Sequence, residues 1–453
     1  MTKTTVKNQV TPRSAAIDIL CEWQRTGQSI DQIKDKLSPA FSDPRDSQLT
    51  TALVFGVLRQ CGQLDWLLGK FSSHPLDKMK PLTLQALRVG LYQLLYLDRT
   101  PPSAAINETV QVLKNNRQPK WLSGYVNGLL RNIARKIESS QMDFELPLQA
   151  KLSHPQWLID RWLQRWGLEK TTEICLSNNT PAQLCLCVNT SRTEREALRH
   201  TFHLAGIEAR LGLFSPEALV LPDYRGPVTS LPGFRQGLFQ VQDETAQLVV
   251  YLLSPFAPGK YLDGCAGLGG KTSLLAQKFP PNEGSITAIE PQTGRYALLA
   301  ENLARLGFSA QVTTFAGDLA SFQAQTEDLF TGVLIDAPCS GTGVIQRHPD
   351  IRWNREAKDF LKFQQTQLAL LQTAAKLTKP GGILVYATCS LEPEENEEVV
   401  DLFLKNQSGF AIENAGNFLP ATAAGLVDEN GFLKTVPGKT CSDGFFAARL
   451  GKA

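Results

Sequence analysis

Residues 260–279, KYLDGCAGLGGKTSLLAQKF, decide the fold. A short apolar run, Tyr261 and Leu262, ends in an acid; a glycine-rich turn follows, and from Thr272 the apolar residues return at helical spacing. The same strand, turn and helix rhythm recurs downstream. It appears as SITAIE (285–290) before GRYALLAENLARLG (294–307), then QVTTF (311–315), TGVLIDAP (331–338), a helical stretch from Lys358 to Leu377, and GILVYATCS (382–390). Short apolar strands alternating with helices predict a mostly parallel sheet covered on both faces, a Rossmann-like α/β domain over 241–453. In such sheets ligands bind at the carboxyl ends of the strands.

Upstream the pattern is different. From Pro12 to Lys136 apolar residues recur at helical spacing, as in Ala16, Ile17, Leu20 and Trp23, then Leu53, Val54, Val57 and Leu58, then Leu84, Leu87, Leu91, Leu94 and Leu95. Breaks at Ser38-Pro39, Ser42-Asp43-Pro44, His74-Pro75 and Thr100-Pro101-Pro102 divide this into five or more helices, with Ser103 as the expected N-cap of AAINETVQVLKN. An all-helical domain is expected over 1–140. Residues 141–156 lose the periodicity and carry two prolines, as a connector does. Strand-like LCLCVNT and EALVLP then flank a helical run from Glu194 to Leu204, so that 141–240 reads as a linker and small α/β connecting domain.

The 453 residues are 42% hydrophobic and 20% charged, which fits a folded multidomain protein and excludes a disordered or fibrous chain. No stretch reaches the ~18 apolar residues of a membrane span, and the start lacks a leader pattern; a cytosolic protein is expected. Nine cysteines with no Cys-x-x-Cys pair and only five histidines argue against a disulfide framework and against zinc. The net charge of +2 conceals an asymmetry: residues 1–140 hold 19 Lys and Arg against 11 Asp and Glu, while the remainder holds 27 against 33. A basic amino-terminal domain suits a polyanion such as nucleic acid.

Candidate chemistry gathers at the predicted strand ends. In the first loop, Asp263 to Thr272, glycines let backbone N–H groups approach a ligand closely. Gly270-Lys271-Thr272 imitates the end of a phosphate-binding loop, but the first glycine of that motif falls on Cys265; the nicotinamide fingerprint fails at Thr272. Glu290 lies about 20 residues beyond the glycines, the spacing at which an acid reaches a ribose hydroxyl pair. Asp318, at the third strand end, suits an adenine amino group. Either acid alone also suits a helix cap. A cofactor with adenosine and no triphosphate, such as S-adenosylmethionine, matches these loops together.

Two further loops bring thiols: Asp336-Ala337-Pro338-Cys339-Ser340-Gly341-Thr342-Gly343 and Thr388-Cys389-Ser390. Beside a methyl donor, paired thiols point to C5 of cytosine, a weak nucleophile until a thiolate adds to C6 and makes the ring an enamine. A cation, Lys271 or Arg347, would favour the thiolate, and Asp336 can engage N3 and the amino group of the ring. The target base must be looped out or flipped.

These residues resemble the two-cysteine RNA cytosine-C5 methyltransferases, and within them the Sun/Fmu group. DAPCSGTG with RHPDIRW, YATCSLEPEENE, VQDETAQL and SDGFFAARL are all similar to that family, over nearly the whole chain. LVFGVLR, AAINETVQVLK and VNGLLRNIAR resemble the RNA-binding antitermination factor NusB. The resemblance implies Cys389 as nucleophile and Cys339 in product release. It also implies Cys265, Ala266, Gly267, Leu268, Gly269, Gly270 and Lys271 with Glu290, Asp318 and Asp336 on S-adenosylmethionine or the target base. The implied substrate is a cytosine in 16S ribosomal RNA. The expected protein is a monomer with no metal and no membrane partner. Two positions depart from the family: Gly267-Leu268 stands where Ala-Pro is usual, and Cys187 where an Arg often precedes Val-Asn.

Overall fold

The computed structural model describes residues 10–139, 145–280, 283–438 and 442–453; Cys441 lies outside them. The chain divides into two compact units, one reaching to Thr180 and taking in Ile345–Asn354, the other holding Pro181–Val344 and Arg355–Ala453.

The first unit is helical: α1 (Pro12–Thr26), α2 (Ile30–Leu37), α3 (Pro44–Phe71), α4 (Pro81–Tyr96), α5 (Pro102–Asn115), α6 (Lys120–Glu138), α7 (Leu148–Leu152) and α8 (Gln156–Asn178). Of the apolar stripe read from the sequence, Ile17, Leu20, Leu53, Val57, Leu87 and Leu91 are buried and Leu94 and Leu95 partly so, and Leu130 and Ile133 of α6 join this core. Thr11 starts α1 with a capping box, its hydroxyl accepting from Ser14 N while Ser14 Oγ accepts from Thr11 N. Ser103 does not cap α5. Pro102 supplies a helix-ready φ one residue earlier, so Ser103 falls inside the first turn.

Residues 345–354 complete this unit. Asp350 Oδ2 accepts from Ile30 N at 3.2 Å and so caps α2, whose own N-cap Ser29 makes no side-chain bond. His348 Nδ1 meets Asp31 Oδ2 at 2.7 Å, and Trp353 Nε1 donates to Leu58 O at 2.8 Å. Arg352 is buried and donates to Ser153 O (3.0 Å), Asn178 O (2.9 Å) and Asn179 Oδ1 (2.5 Å). Burial pushes its guanidinium down to about 9, so it is still charged at neutral pH.

The second unit opens with β1 (Leu184–Val188), α9 (Arg195–Leu204), β2 (Arg210–Leu211), β3 (Ala218–Leu221) and β4 (Phe239–Val241). These strands form an antiparallel sheet in the order β2-β3-β1-β4, under which Phe202 of α9 packs on Phe239. Next come α10 (Glu244–Tyr251), β5 (Gly259–Asp263), α11 (Gly270–Ala276), β6 (Gly284–Glu290), α12 (Thr293–Leu306), β7 (Val312–Ala316), α13 (Leu319–Gln323) and β8 (Phe330–Asp336). The chain then passes through the single turn α14 (Ile351–Asn354), which belongs to the helical unit, before α15 (Asp359–Leu377), β9 (Thr378–Thr388), α16 (Glu397–Asn406), β10 (Phe410–Glu413), β11 (Leu433–Thr435) and β12 (Phe445–Lys452).

The large sheet has the order β10-β12-β9-β8-β5-β6-β7, with β11 also on β12. Its β9-β8-β5-β6-β7 part is parallel, as the sequence predicts, and β12 adds an antiparallel margin. The chain runs outward from β5 to β7 and returns to the other side of β5 as β8. The strand order therefore reverses between β5 and β8, where an open α/β sheet forms its ligand crevice.

Arg352→Ala should lower the stability of the full chain by about 3 kcal/mol, because it leaves a cavity and orphans two buried carbonyls. Urea unfolding followed by tryptophan fluorescence measures this; an unchanged midpoint would contradict the role of the 345–354 segment.

Candidate active site

The two thiol loops leave the sheet side by side. Asp336 of β8 pairs with Ala387 of β9, and Ala337 N donates to Ala387 O at 2.8 Å. Cys339 and Cys389 lie just beyond, and their sulfurs approach to 3.2 Å. Two hydrogen bonds lock the loops together: Gly343 N donates to Cys389 O at 2.9 Å, and Leu391 N to the Thr342 side-chain Oγ1 at 2.9 Å. A Cβ at Gly343 would lie 2.2 Å from Gly444 O, so only glycine allows the approach. The neighbouring Cys389 thiol, with burial second, holds the Cys339 thiol well above the usual range; the carboxylates of Glu395 and Asp336 add to this.

Lys271 and Asp336 face each other across the crevice, Nζ to Oδ2 2.5 Å, with the ammonium 5.2 Å from the Phe445 ring centre. The ammonium offered by the sequence as a partner for a thiolate is thus bound to a carboxylate. Arg347, the other candidate, falls in the segment that belongs to the helical unit.

The glycine loop is held at both ends by Asp263, a buried acid that motif and spacing alone do not mark as its anchor. Its Oδ2 accepts from Thr272 Oγ1 at 2.7 Å and its Oδ1 from Cys265 N at 3.3 Å. Ala266 N donates to Ile289 O at 2.9 Å and so brings the loop beside Glu290 at the end of β6. Glu290 is buried, and its Oε1 accepts from Gln292 N at 2.8 Å. Asp318 is exposed and caps α13 by accepting from Ser321 N at 2.7 Å, and those bonds hold its carboxyl below the usual range. The structure therefore brings Cys265–Lys271, Glu290, Asp336, Cys339 and Cys389 to adjoining strand ends, with Asp318 two strands out from β5. This crevice, with an acid after β6 and glycines after β5, fits a nucleoside-bearing methyl donor. Four other cysteines, Cys61, Cys175, Cys185 and Cys187, are buried as small apolar groups. Among the described residues no cluster of three or more His, Cys, Asp or Glu could hold a metal, and no helix is long and apolar enough to cross a membrane.

Residues 250–451 match the family described as 16S rRNA methyltransferase RsmB/F, 10–135 the NusB family, and 154–228 the ferredoxin-like domain of RsmF/B-like methyltransferases. Ribosomal RNA small subunit methyltransferase B of Klebsiella pneumoniae (strain 342) is 35% identical over 445 residues, 98% of this chain and 99% of its own. The protein of the same name from Escherichia coli O6:K15:H31 is 36% identical over the same shares. The chain belongs to the RsmB/F methyltransferase family. The crystal structure of PH0851 superposes with a TM-score of 0.79 at 23% identity, covering 98% of this chain and 99% of that one. A methyltransferase homolog from Pyrococcus horikoshii gives 0.57 at 30% identity, over 67% and 97%.

Within this S-adenosylmethionine-dependent fold, both departures of the chain from its family have a structural account. Gly267 takes φ +57°, a left-handed conformation open to glycine, and Asn302 Nδ2 holds Leu268 O at 3.1 Å. The turn is thus made by glycine and an amide clasp. Cys187 is buried in the apolar core that joins β1 to α10, so its position is a packing site rather than an exposed contact.

Complete burial pushes the Asp263 carboxyl up to about 6, against its bonds to Thr272 and Cys265. An acid that titrates higher in the folded state contributes stability that is complete below about pH 4 and is lost as the pH rises through about 6. Asp263→Asn keeps one carbonyl acceptor, for Cys265 N, offers its amide N–H to the Thr272 oxygen, and does not titrate. Relative to wild type it should therefore gain about 3 kcal/mol between pH 4 and pH 7. Unfolding free energies of both proteins across that range provide the test; parallel curves would refute it.

Proposed function

We propose that the chain methylates C5 of a cytosine in 16S ribosomal RNA through a covalent adduct between Cys389 and C6 of the ring. The observation that carries this reading is the 3.2 Å approach of two thiols at the ligand crevice of a methyltransferase sheet. One thiol suffices to make the adduct, so a second at this distance calls for a reaction with a release step. As a thiolate, Cys389 adds to C6, and C5 becomes nucleophilic. S-adenosylmethionine supplies the methyl group that C5 takes. Asp336, oriented by Lys271, faces N3 and the amino group of the ring and stabilises charge as it develops. The C5 proton then passes to solvent water, the C5–H electron pair restores the C5=C6 double bond, and Cys389 departs with the C6–S pair as a thiolate. Cys339, which the Cys389 thiol and burial keep protonated, assists the release by donating a hydrogen bond to that departing sulfur. Cys265–Lys271, Glu290 and Asp318 hold the methyl donor. In this reading residues 1–140 grip RNA, 141–240 connect, and 241–453 carry the reaction, with the chain acting as a monomer.

Cys389→Ala should abolish methylation of 16S RNA, and Cys339→Ala should accumulate an RNA–protein adduct that survives denaturing electrophoresis. Turnover by the first variant, or only free protein with the second, would refute the assigned roles.

The helical unit offers a surface suited to unpaired RNA. Trp121 is 69% exposed at the rim of a pocket of about 280 Å³ lined by His74, Lys78, Lys80 and Tyr125. An open indole among cations stacks a base while lysines meet its phosphates. Trp121→Ala should weaken RNA binding by about 1–3 kcal/mol and leave S-adenosylmethionine affinity as it is; equal RNA affinity in filter binding would exclude this contact.

A further inference from the structure

Each thiol is followed by a buried serine, and one carboxylate holds both serines. Glu395 has no exposed surface. Its Oε1 accepts from Ser340 N at 2.7 Å and from Gln367 Nε2 at 3.2 Å; its Oε2 accepts from Ser390 Oγ at 2.5 Å and from Ser340 Oγ. The two hydroxyl oxygens lie 3.2 Å apart. Among the described residues no Lys or Arg forms an ion pair with Glu395, so neutral donors alone compensate the buried charge, a costly arrangement.

The local backbone does not need that carboxylate. Asn396 Nδ2 donates to Ser390 O at 2.9 Å, and Asn396 Oδ1 accepts from Thr388 Oγ1 at 2.6 Å. The main-chain carbonyl of Glu395 accepts from Tyr386 OH at 2.5 Å, and Gln364 Nε2 donates to Glu394 O at 2.8 Å. With the turn anchored in these ways, the carboxylate is left to join two loops that are about 50 residues apart in sequence.

We propose that Glu395 is a positioning residue for the transfer: by holding Ser340 and Ser390 on one carboxylate it sets the approach of the Cys339 and Cys389 sulfurs. The inference rests on the reading in which those two thiols divide the reaction. Its reach follows from geometry, since a misplacement of about 1 Å at reacting atoms costs on the order of 100-fold in rate.

The test compares Glu395→Ala, Glu395→Gln and the double variant Ser340→Ala/Ser390→Ala, as full chains, by three readouts. Phenylarsine oxide, a trivalent arsenical that bridges two close thiols, reports sulfur separation without RNA. Single-turnover methylation of a 16S RNA fragment reports the reaction. S-adenosylmethionine affinity reports the integrity of the donor site. Wild type should capture the arsenical and Cys339→Ser should not. Glu395→Ala and the double-serine variant should capture it weakly and lose about 100-fold in single-turnover rate, with donor affinity unchanged. Glu395→Gln, which keeps an acceptor for Ser340 N–H and offers an amide to the serine oxygens, should recover capture and part of the rate.

Full rate and normal capture in Glu395→Ala would overturn the proposal. So would a loss of donor affinity in step with rate in Glu395→Gln and the double-serine variant, which marks a general folding role. If Glu395→Ala does not fold, those two variants decide. Capture that depends on Glu395 in a protein that methylates no RNA cytosine would overturn the functional reading and leave the positioning in place.

Discussion

The pairing of β8 with β9 is the constraint on which the site depends. Two parallel strands in register end at neighbouring points, so whatever follows them is delivered to one place. Cys389 comes two residues after Ala387 and Cys339 three after its partner Asp336, and this near-equality of loop length brings together sulfurs 50 residues apart. A slip of one residue in this register would send alternate side chains to opposite faces of the sheet and separate the pair. Gly343 and Gly444 keep the approach open, because the strand ends crowd so closely that no side chain fits there.

That crowding also decides the electrostatics. Asp263, Glu290, Asp336 and Glu395 converge on strand ends, and the Lys271 ammonium is taken by Asp336. Burial first and then the carboxylates push the Cys265 thiol up, and the neighbouring Cys389 thiol, then burial, then the carboxylates, do the same for Cys339. The division of labour between the two thiols rests on the family resemblance.

Much of this was legible in the sequence because strand, turn and helix alternate at short range. The acids and thiols sit at strand ends, and strand ends can be read from where apolar runs stop. Two kinds of feature were not legible. The first is α8: Gly167, at φ +73° and extended ψ, interrupts the helix and resets its apolar phase, so that Leu158, Ile159 and Trp162 fall out of step with Ile174 and Cys175. The second is long-range use of polar side chains. Asp350 as the cap of α2, and Glu395 as the clasp between Ser340 and Ser390, are contacts across hundreds or tens of residues that periodicity does not encode. Asp318 shows the converse: its strand-end place suits a ligand, and its carboxylate also serves the local helix.

The route of the chain bears on how the helical part contributes. Its unit is incomplete with residues up to Thr180 alone, because Ile345–Asn354 supplies the cap of α2 and the buried Arg352. Those residues begin where the Cys339 loop ends at Val344, so the loop is covalently anchored in the helical unit at one end and in β8 at the other. A loop tethered at both ends loses fewer conformations on ordering than a free one, because closure has already restricted it. The polypeptide that leaves β8 through the Cys339 loop thus runs directly into the helical unit, a continuity that a separable helical domain would lack.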